Sequence, residues 1–432
     1  MCFSDARFAY GPFAPHYVPR QYIENYVTHH KVDEDLVLDT TVEDLAELPP
    51  RVPGGPGRWK VVLRKYDRAR HIDLWWEEEF DAVVLANGHY AVPFVPEVKG
   101  LKAFIEAFPD RVVHSKHYRT PLVYASKRVV VVGNSASGHD VTAELVSTAH
   151  LPVYQSRRSP SRWDGDKPPP GIAWKPVIRE FQIHASPNPN PGSSSHPSGR
   201  IVFDDDTYLD LDTDVDVVLY CTGYKPSFPF WEPSRHSGRA LWDYAPGADR
   251  LAGGGSYWHT FFTQYPTLAA VGVPRTLTFR SFEYQGVAVA RLWAGRAARP
   301  LPPAAEQRTW ERERAARARR EGRRFHDVPW EGGEAREWLR GLFDLAGLGT
   351  LDGDGRVPPV LTRELVWALE NVRKYPEPGR GEGGGGDGAD ESGLEATSRS
   401  IAAPARPEAV EEDAGEWVMV HRPYKMDLLG FI

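Results

Sequence analysis

The sequence predicts an α/β chain built around a parallel, three-layer unit, and three observations predict it. Arg128-Val129-Val130-Val131-Val132 carries four consecutive valines, the pattern of a strand buried on both faces. That run opens directly into Gly133-Asn134-Ser135-Ala136-Ser137-Gly138, after which Val141, Leu145 and Val146 keep one side of a helix apolar. Pro152-Val153-Tyr154-Gln155-Ser156 then reads as the next strand. Strand, glycine turn, helix and strand in that order form a dinucleotide-binding unit.

The chemistry of that turn follows from its backbone. A helix N-terminus presents unpaired N–H groups and the positive end of the helix dipole, so it attracts a diphosphate. The fingerprint G-x-G-x-x-G is imperfect, because Ser135 takes the middle glycine position. Arg157 and Arg158 close the second strand, where such units place the residue that senses the ribose. No acid stands there, and a guanidinium grips a phosphate through paired hydrogen bonds, so NADP is favoured over NAD. The competing reading is that the two arginines only solvate a loop.

The flanking segments supply further elements. The spacing of Tyr22, Ile23, Tyr26 and Val27 predicts a short helix over 22–30. Strands are expected at 37–42, 59–66 and 71–76, with the Pro/Gly run 49–57 as a turn. A strand at 80–86 closes in Asn87-Gly88-His89, and further strands are expected at 214–220 and 268–273. Helices are expected at 282–296 and 306–324; the arginines of the second read as a solvated face. Residues 188–199 read as a mobile loop, 377–412 as disordered, and 417–432 as an apolar segment that docks back on the body.

Composition narrows the function. The chain has 432 residues, 41% hydrophobic with 12% aromatic, enough for a sizeable core and two or three domains. A net charge of -7 argues against nucleic acid or an anionic membrane surface. The two cysteines, Cys2 and Cys221, form neither a disulfide framework nor a zinc pattern. No signal segment and no long apolar run is present, so a soluble, cytoplasmic protein without a transmembrane segment is expected.

Three segments together resemble the flavin-containing monooxygenase family. Phe108, His114 and Tyr118 match its fingerprint F-x-G-x-x-x-H-x-x-x-Y/F, with Asp110 in place of the glycine. Residues 133–140 are similar to its NADP turn, and Leu219-Tyr220-Cys221-Thr222-Gly223-Tyr224 to its C/A-T-G-Y signature. Phe3-Ser4-Asp5, Ala86-Asn87-Gly88-His89-Tyr90 and Phe282-Glu283-Tyr284-Gln285 support the likeness. Baeyer–Villiger oxygenases follow the histidine with W-P or W-D, whereas Tyr118-Arg119 stands here, which favours soft nitrogen or sulfur over ketones.

The resemblance implies an α/β fold with a Rossmann-like NADP domain over 124–222, inserted in a partial FAD-type domain over 1–123 and 223–375, with small antiparallel β elements. A disordered linker over 376–416 and a C-terminal segment over 417–432 complete the expected layout. It implies an N,N-dimethylaniline-type monooxygenase that uses NADPH, FAD and O2. NADPH reduces the flavin, the flavin captures oxygen as a C4a-hydroperoxide, and an amine or sulfide substrate takes the distal oxygen. The flavin carries that chemistry, so no side chain is assigned as catalytic and no metal is called for. Gly133, Asn134, Ser135, Ala136, Ser137 and Gly138 are then the NADP diphosphate turn, and Arg157 and Arg158 candidates for the 2′-phosphate. Asn87, Gly88 and His89 lie near cofactor at the crossover between domains, or form a plain strand-ending turn. Thr222 and Gly223 mark the return to the flavin-type domain. His114 bonds across the hinge or is a satisfied core histidine; Tyr118 packs; Glu283 and Gln285 approach the flavin.

One departure weighs on this picture. The family's opening strand, its G-x-G-x-x-G turn for the FAD diphosphate and the following ribose-binding acid have no counterpart here. The expectation is a family member without that segment, active or reduced to a non-catalytic NADP-binding module. A flavin-free dehydrogenase lacks support, because no Tyr-x-x-x-Lys pair or zinc set accompanies the turn.

Overall fold

A computed structural model describes residues 2–10, 14–15, 17–161, 164–185, 197–211, 213–244, 251–253, 255–274, 276, 279–348 and 366–367. The expected disordered stretch 377–412, the segment 417–432 and most of the loop 188–199 lie outside these residues. The chain divides into two units, Met1–Phe13 with Val37–Gly379, and Ala14–Leu36 with Arg380–Ile432.

The fold is mixed α/β, as the sequence predicts. At the centre of the first unit lies a five-stranded parallel sheet. Its order is Val112–His114, Val217–Tyr220, Arg128–Val132, His150–Ser156 and Ile172–Lys175. The valine strand is central, and Val129, Val130 and Val131 have no exposed surface. Period-two alternation splits them between two cores. Val129 and Val131 join Leu219, with Val141 and Leu145 from the helix Ala136–Leu145. Val130 points the other way, into Phe104, Phe181, Ile201 and Phe203. Each fully buried valine contributes about 1.5–3 kcal/mol relative to exposure.

The second face of the sheet is covered in an unexpected way. Instead of a helix layer alone, it carries a three-stranded antiparallel sheet, Ile178–Ala185, Pro197–Phe203 and Tyr208–Asp210, with the short helix Leu101–Ala107. Strand Val112–His114 also belongs to the parallel sheet, upstream of the expected boundary at 124. Arg128 ties the sheet's base to the neighbouring strand. Asp216 accepts from its backbone N–H, Nε and Nη2 at 2.8, 2.9 and 2.6 Å.

The flanks build a second body of structure. Thr40–Leu48, Arg58–Asp67 and Ile72–Phe80 form an antiparallel meander. The first strand starts at Thr40 rather than 37 because Asp39 turns in the left-handed region at φ 55°. His71, at φ 53°, likewise delays the third strand to Ile72. The stretch expected as one strand over 80–86 is broken, since Phe80 ends the meander and Val83–Leu85 starts a separate strand. Val83–Leu85 pairs in parallel with Leu268–Ala270, which continues antiparallel into Phe261–Phe262 and Ser256–Tyr257. Helices Phe279–Trp293 and Glu334–Ala346 pack on this sheet through Tyr284, Ala288, Leu339 and Leu342. Helix Ala304–Arg320 exposes most of its arginines but buries Arg314 against Glu334 at 2.7 Å. Beside it, one Nδ1–H of the buried pair His259 and His326 donates to the other's Nδ1 at 3.0 Å. Burial holds both imidazoles neutral, well below their usual pKa.

The second unit contains helix Tyr17–His29, longer at its N-terminus than the expected 22–30. Arg20 and Glu24 pair along it at 2.8 Å, at the i,i+4 spacing of neighbours on one helix face.

Candidate cofactor site

The turn after the valine strand is shaped by backbone approaching backbone. Gly133 adopts φ 113°, and a Cβ there would lie 2.7 Å from Cys221 O. At Gly138 a Cβ would lie 2.2 Å from Gly133 O, so only glycine lets the helix start this close to the strand. Buried Gln155 fastens the arrangement, its Nε2 reaching Gly133 O, Gly138 O and Thr142 Oγ1 at 3.3, 3.4 and 3.3 Å. The helix begins at Ala136, and Ser135 at its N-cap gives no side-chain capping bond. The first-turn N–H groups of this helix therefore have no intrahelical acceptor. This geometry fits a nucleotide diphosphate.

Arg157 stands at the end of the adjacent strand, its guanidinium 3.3 Å from the centroid of the Trp174 ring. Asp164 draws it toward the glycine turn. The Asp164 carboxylate accepts from Arg157 Nη1 at 3.1 Å, from Asn134 Nδ2 at 2.6 Å and from the Ser161 N–H at 2.9 Å. Ser161 Oγ donates to Asn134 O at 2.7 Å, and Asn134 Nδ2 also reaches Ser159 O at 2.8 Å. Trp174 Nε1 is buried with no hydrogen-bond partner among the described residues. Arg158 is exposed. Thus Asn134 and Arg157 come together, joined by an acid and a tryptophan that motif reading missed.

A second group forms where the chain crosses between the two bodies of strands. Val92–Pro93 pairs antiparallel with Tyr224–Lys225. Gly223 O accepts from the Phe94 N–H at 2.9 Å and from His114 Nε2 at 3.0 Å. His114 Nδ1 accepts from the Lys116 N–H at 3.0 Å, which makes Nε2 the protonated nitrogen of a neutral ring. Burial lowers the His114 pKa, only partly opposed by the bond to Gly223. Thr222 Oγ1 donates to Phe94 O. Asn87 Nδ2 donates to Ser227 O at 3.2 Å, and His89 stacks edge-on against Tyr90 at 4.1 Å. Gly88, at φ 70°, has open space where a Cβ would stand.

Three other residues are used elsewhere. Tyr118 donates to Glu144 Oε2 at 2.9 Å beneath the parallel sheet. Glu283 accepts from the Ser4 N–H at 3.1 Å, holding the opening segment to helix Phe279–Trp293. Gln285 is fully buried, donating to Thr260 Oγ1 at 2.8 Å and accepting from the Gly272 N–H at 3.0 Å.

FAD finds no comparable place among the described residues. The other parallel pair, Val83–Leu85 with Leu268–Ala270, ends in the open turn at Gly88 and not in a helix N-terminus. The described residues do not fit a second diphosphate.

The chain is similar to known proteins in sequence and in fold. Residues 1–163 match the family model described as flavin-binding monooxygenase-like. The flavin-containing monooxygenase iboF of Amanita muscaria is 27% identical over 327 residues, covering 69% of this chain and 58% of the relative. The flavin-containing monooxygenase FMO GS-OX-like 8 of Arabidopsis thaliana is 36% identical over 226 residues, covering 52% and 43%. The chain thus spans about half the length of the curated relatives it matches. Among solved structures, S-allyl-L-cysteine S-oxygenase from Allium sativum has a similar fold. Its TM-score is 0.60 at 24% identity, over 80% of this chain and 71% of that one. Tmm from Pelagibacter sp. strain HTCC7211 gives 0.58 at 20% identity, over 79% and 68%. Over residues 1–163 the chain is thus similar to the flavin-binding monooxygenase-like family.

Proposed function

We propose that this chain binds NADPH at the turn 133–138 and forms part of a flavin-dependent monooxygenase acting on soft nitrogen or sulfur atoms of small molecules. The observation that carries the reading is the packed glycine turn, in which Gly133 and Gly138 leave no room for a Cβ and a helix begins at Ala136 without a side-chain cap. The turn holds the coenzyme's diphosphate through backbone N–H groups, and Asn134 and Arg157 stand on its ribose side. In this reading 124–222 is the NADP part and 1–123 with 223–375 the flavin-side frame, with strand Val112–His114 completing the parallel sheet. The Gly223–His114–Phe94 bonds fix the angle at which the two parts meet. The names of the curated relatives support flavin and monooxygenation; amine or sulfide as substrate extends from the fingerprint in which Tyr118-Arg119 follows His114.

The described residues do not fit the FAD diphosphate, so none of them is assigned a part in the flavin's own chemistry. That same observation favours a second reading, an NADP-binding module without flavin chemistry. Titration of the purified chain with NADPH, followed by FAD addition under air with a tertiary amine or a thioether, tests both. The main reading expects NADPH binding and, despite the lack of a second diphosphate cradle among the described residues, FAD uptake with FAD-dependent NADPH consumption coupled to N- or S-oxide. NADPH binding without FAD uptake leaves the module. Absence of NADPH binding by folded protein overturns both.

A further inference from the structure

Asp164 occupies the position of an anion. Its side chain is only 6% exposed, and its carboxylate is gripped by a side-chain amide, a guanidinium and a backbone N–H, all within hydrogen-bond distance. These are the donors a phosphate monoester takes. They converge between the glycine turn, through Asn134, and the end of the next strand, through Arg157. The Arg157 guanidinium lies over the Trp174 ring, 3.3 Å from its centroid.

We propose that Asp164 is a built-in competitor for the 2′-phosphate of the coenzyme and so sets the choice between NADP and NAD. This rests on the nucleotide reading above. A 2′-phosphate and the Asp164 carboxylate cannot share one guanidinium at low cost, since like charges about 4 Å apart repel by roughly 1 kcal/mol in water and several times more near a protein surface. NADP must therefore take Arg157 from Asp164, and its affinity is reduced by the stability of that internal pair. NAD, with a plain ribose hydroxyl, makes no such demand. The acid narrows the preference that Arg157 alone would create.

The test is calorimetric titration of the wild-type chain, Asp164→Asn and Asp164→Ala with NADP+ and with NAD+. Asp164→Asn keeps shape and removes charge, so it decides the matter if the alanine variant does not fold. The expected result is NADP+ bound on the order of tenfold more tightly by Asp164→Asn, with NAD+ changed by less than about twofold. Adding Arg157→Ala to Asp164→Asn should cancel the gain, as coupled partners require. NADP+ binding that is unchanged or weakened in Asp164→Asn, while both nucleotides still bind, overturns the role of Asp164 but leaves the nucleotide site standing. No binding of either nucleotide by any of the folded proteins overturns the nucleotide reading and this inference with it.

Discussion

Two parallel strands of this chain run into a glycine beside an asparagine, and their ends differ. After Val132, Gly133 is pressed against Cys221 O, and Gly138 against Gly133 O. After Leu85, Gly88 has nothing within 4 Å of where a Cβ would stand. Both turns have positive φ, 113° at Gly133 and 70° at Gly88. A left-handed turn therefore does not by itself make a cradle. What distinguishes the first is close approach of backbone on two sides, which seats a helix N-terminus directly over the strand.

Substituting the glycines breaks the comparison most directly. Gly138→Ala should cost about 1–3 kcal/mol, because its Cβ meets immovable backbone, and should reduce NADP+ affinity below detection. Gly88→Ala should cost only the left-handed strain, about 1 kcal/mol, with nucleotide binding unchanged. Equal losses in chemical denaturation would erase the distinction.

Acid should separate the two regions as well. The sheet under the cradle depends on Asp216, whose hydrogen bonds with Arg128, ahead of opposing burial, hold its pKa down to about 2. A carboxylate lowered on folding stabilises above its ordinary pKa, near 3.8. That contribution is lost as pH falls from there toward about 2. Asp216→Asn should flatten the pH dependence of stability in this window and lower stability at neutral pH by about 1.5 kcal/mol through the loss of charged hydrogen bonds. A pH profile identical to wild type would refute the pairing.

The helical region around His259 and His326 responds earlier. Both imidazoles are kept neutral by burial, with Arg314 further opposing charge. An unfolded histidine takes up a proton near pH 6.5, whereas the folded pair does not, so stability here declines as pH drops below that value. His326→Phe should make the decline between about pH 6.5 and 5 shallower by up to one proton's slope. A steeper decline in the variant would mean that the pair accepts charge in the fold.

The sequence displayed the cradle and hid its surroundings for physical reasons. Four valines in a row announce a strand buried on both faces, and Gly133 and Gly138 announce the turn. The antiparallel sheet on the far face was not legible, because Ile178–Ala185 mixes charged and apolar residues and pairs with Pro197–Phe203, a strand well separated from it in sequence. Asp164 was invisible for a similar reason. It lies in Asp164-Gly165-Asp166-Lys167, a run that reads as solvated, and its bond to Asn134 spans 30 residues. Gln285 shows what a motif leaves out: in the fold its amide is held by Thr260, Ala270 and Gly272.

The nucleotide reading of this chain depends on the turn 133–138 holding the diphosphate of a phosphorylated nicotinamide coenzyme. Calorimetric titration of the wild-type chain with NADP+ addresses that dependence at its root, on a sample whose fold is verified by circular dichroism. Saturable heat at one site per chain is expected, abolished in Gly138→Ala and retained in Gly88→Ala. A folded sample that releases no heat, or heat that survives Gly138→Ala unchanged, would refute the nucleotide site.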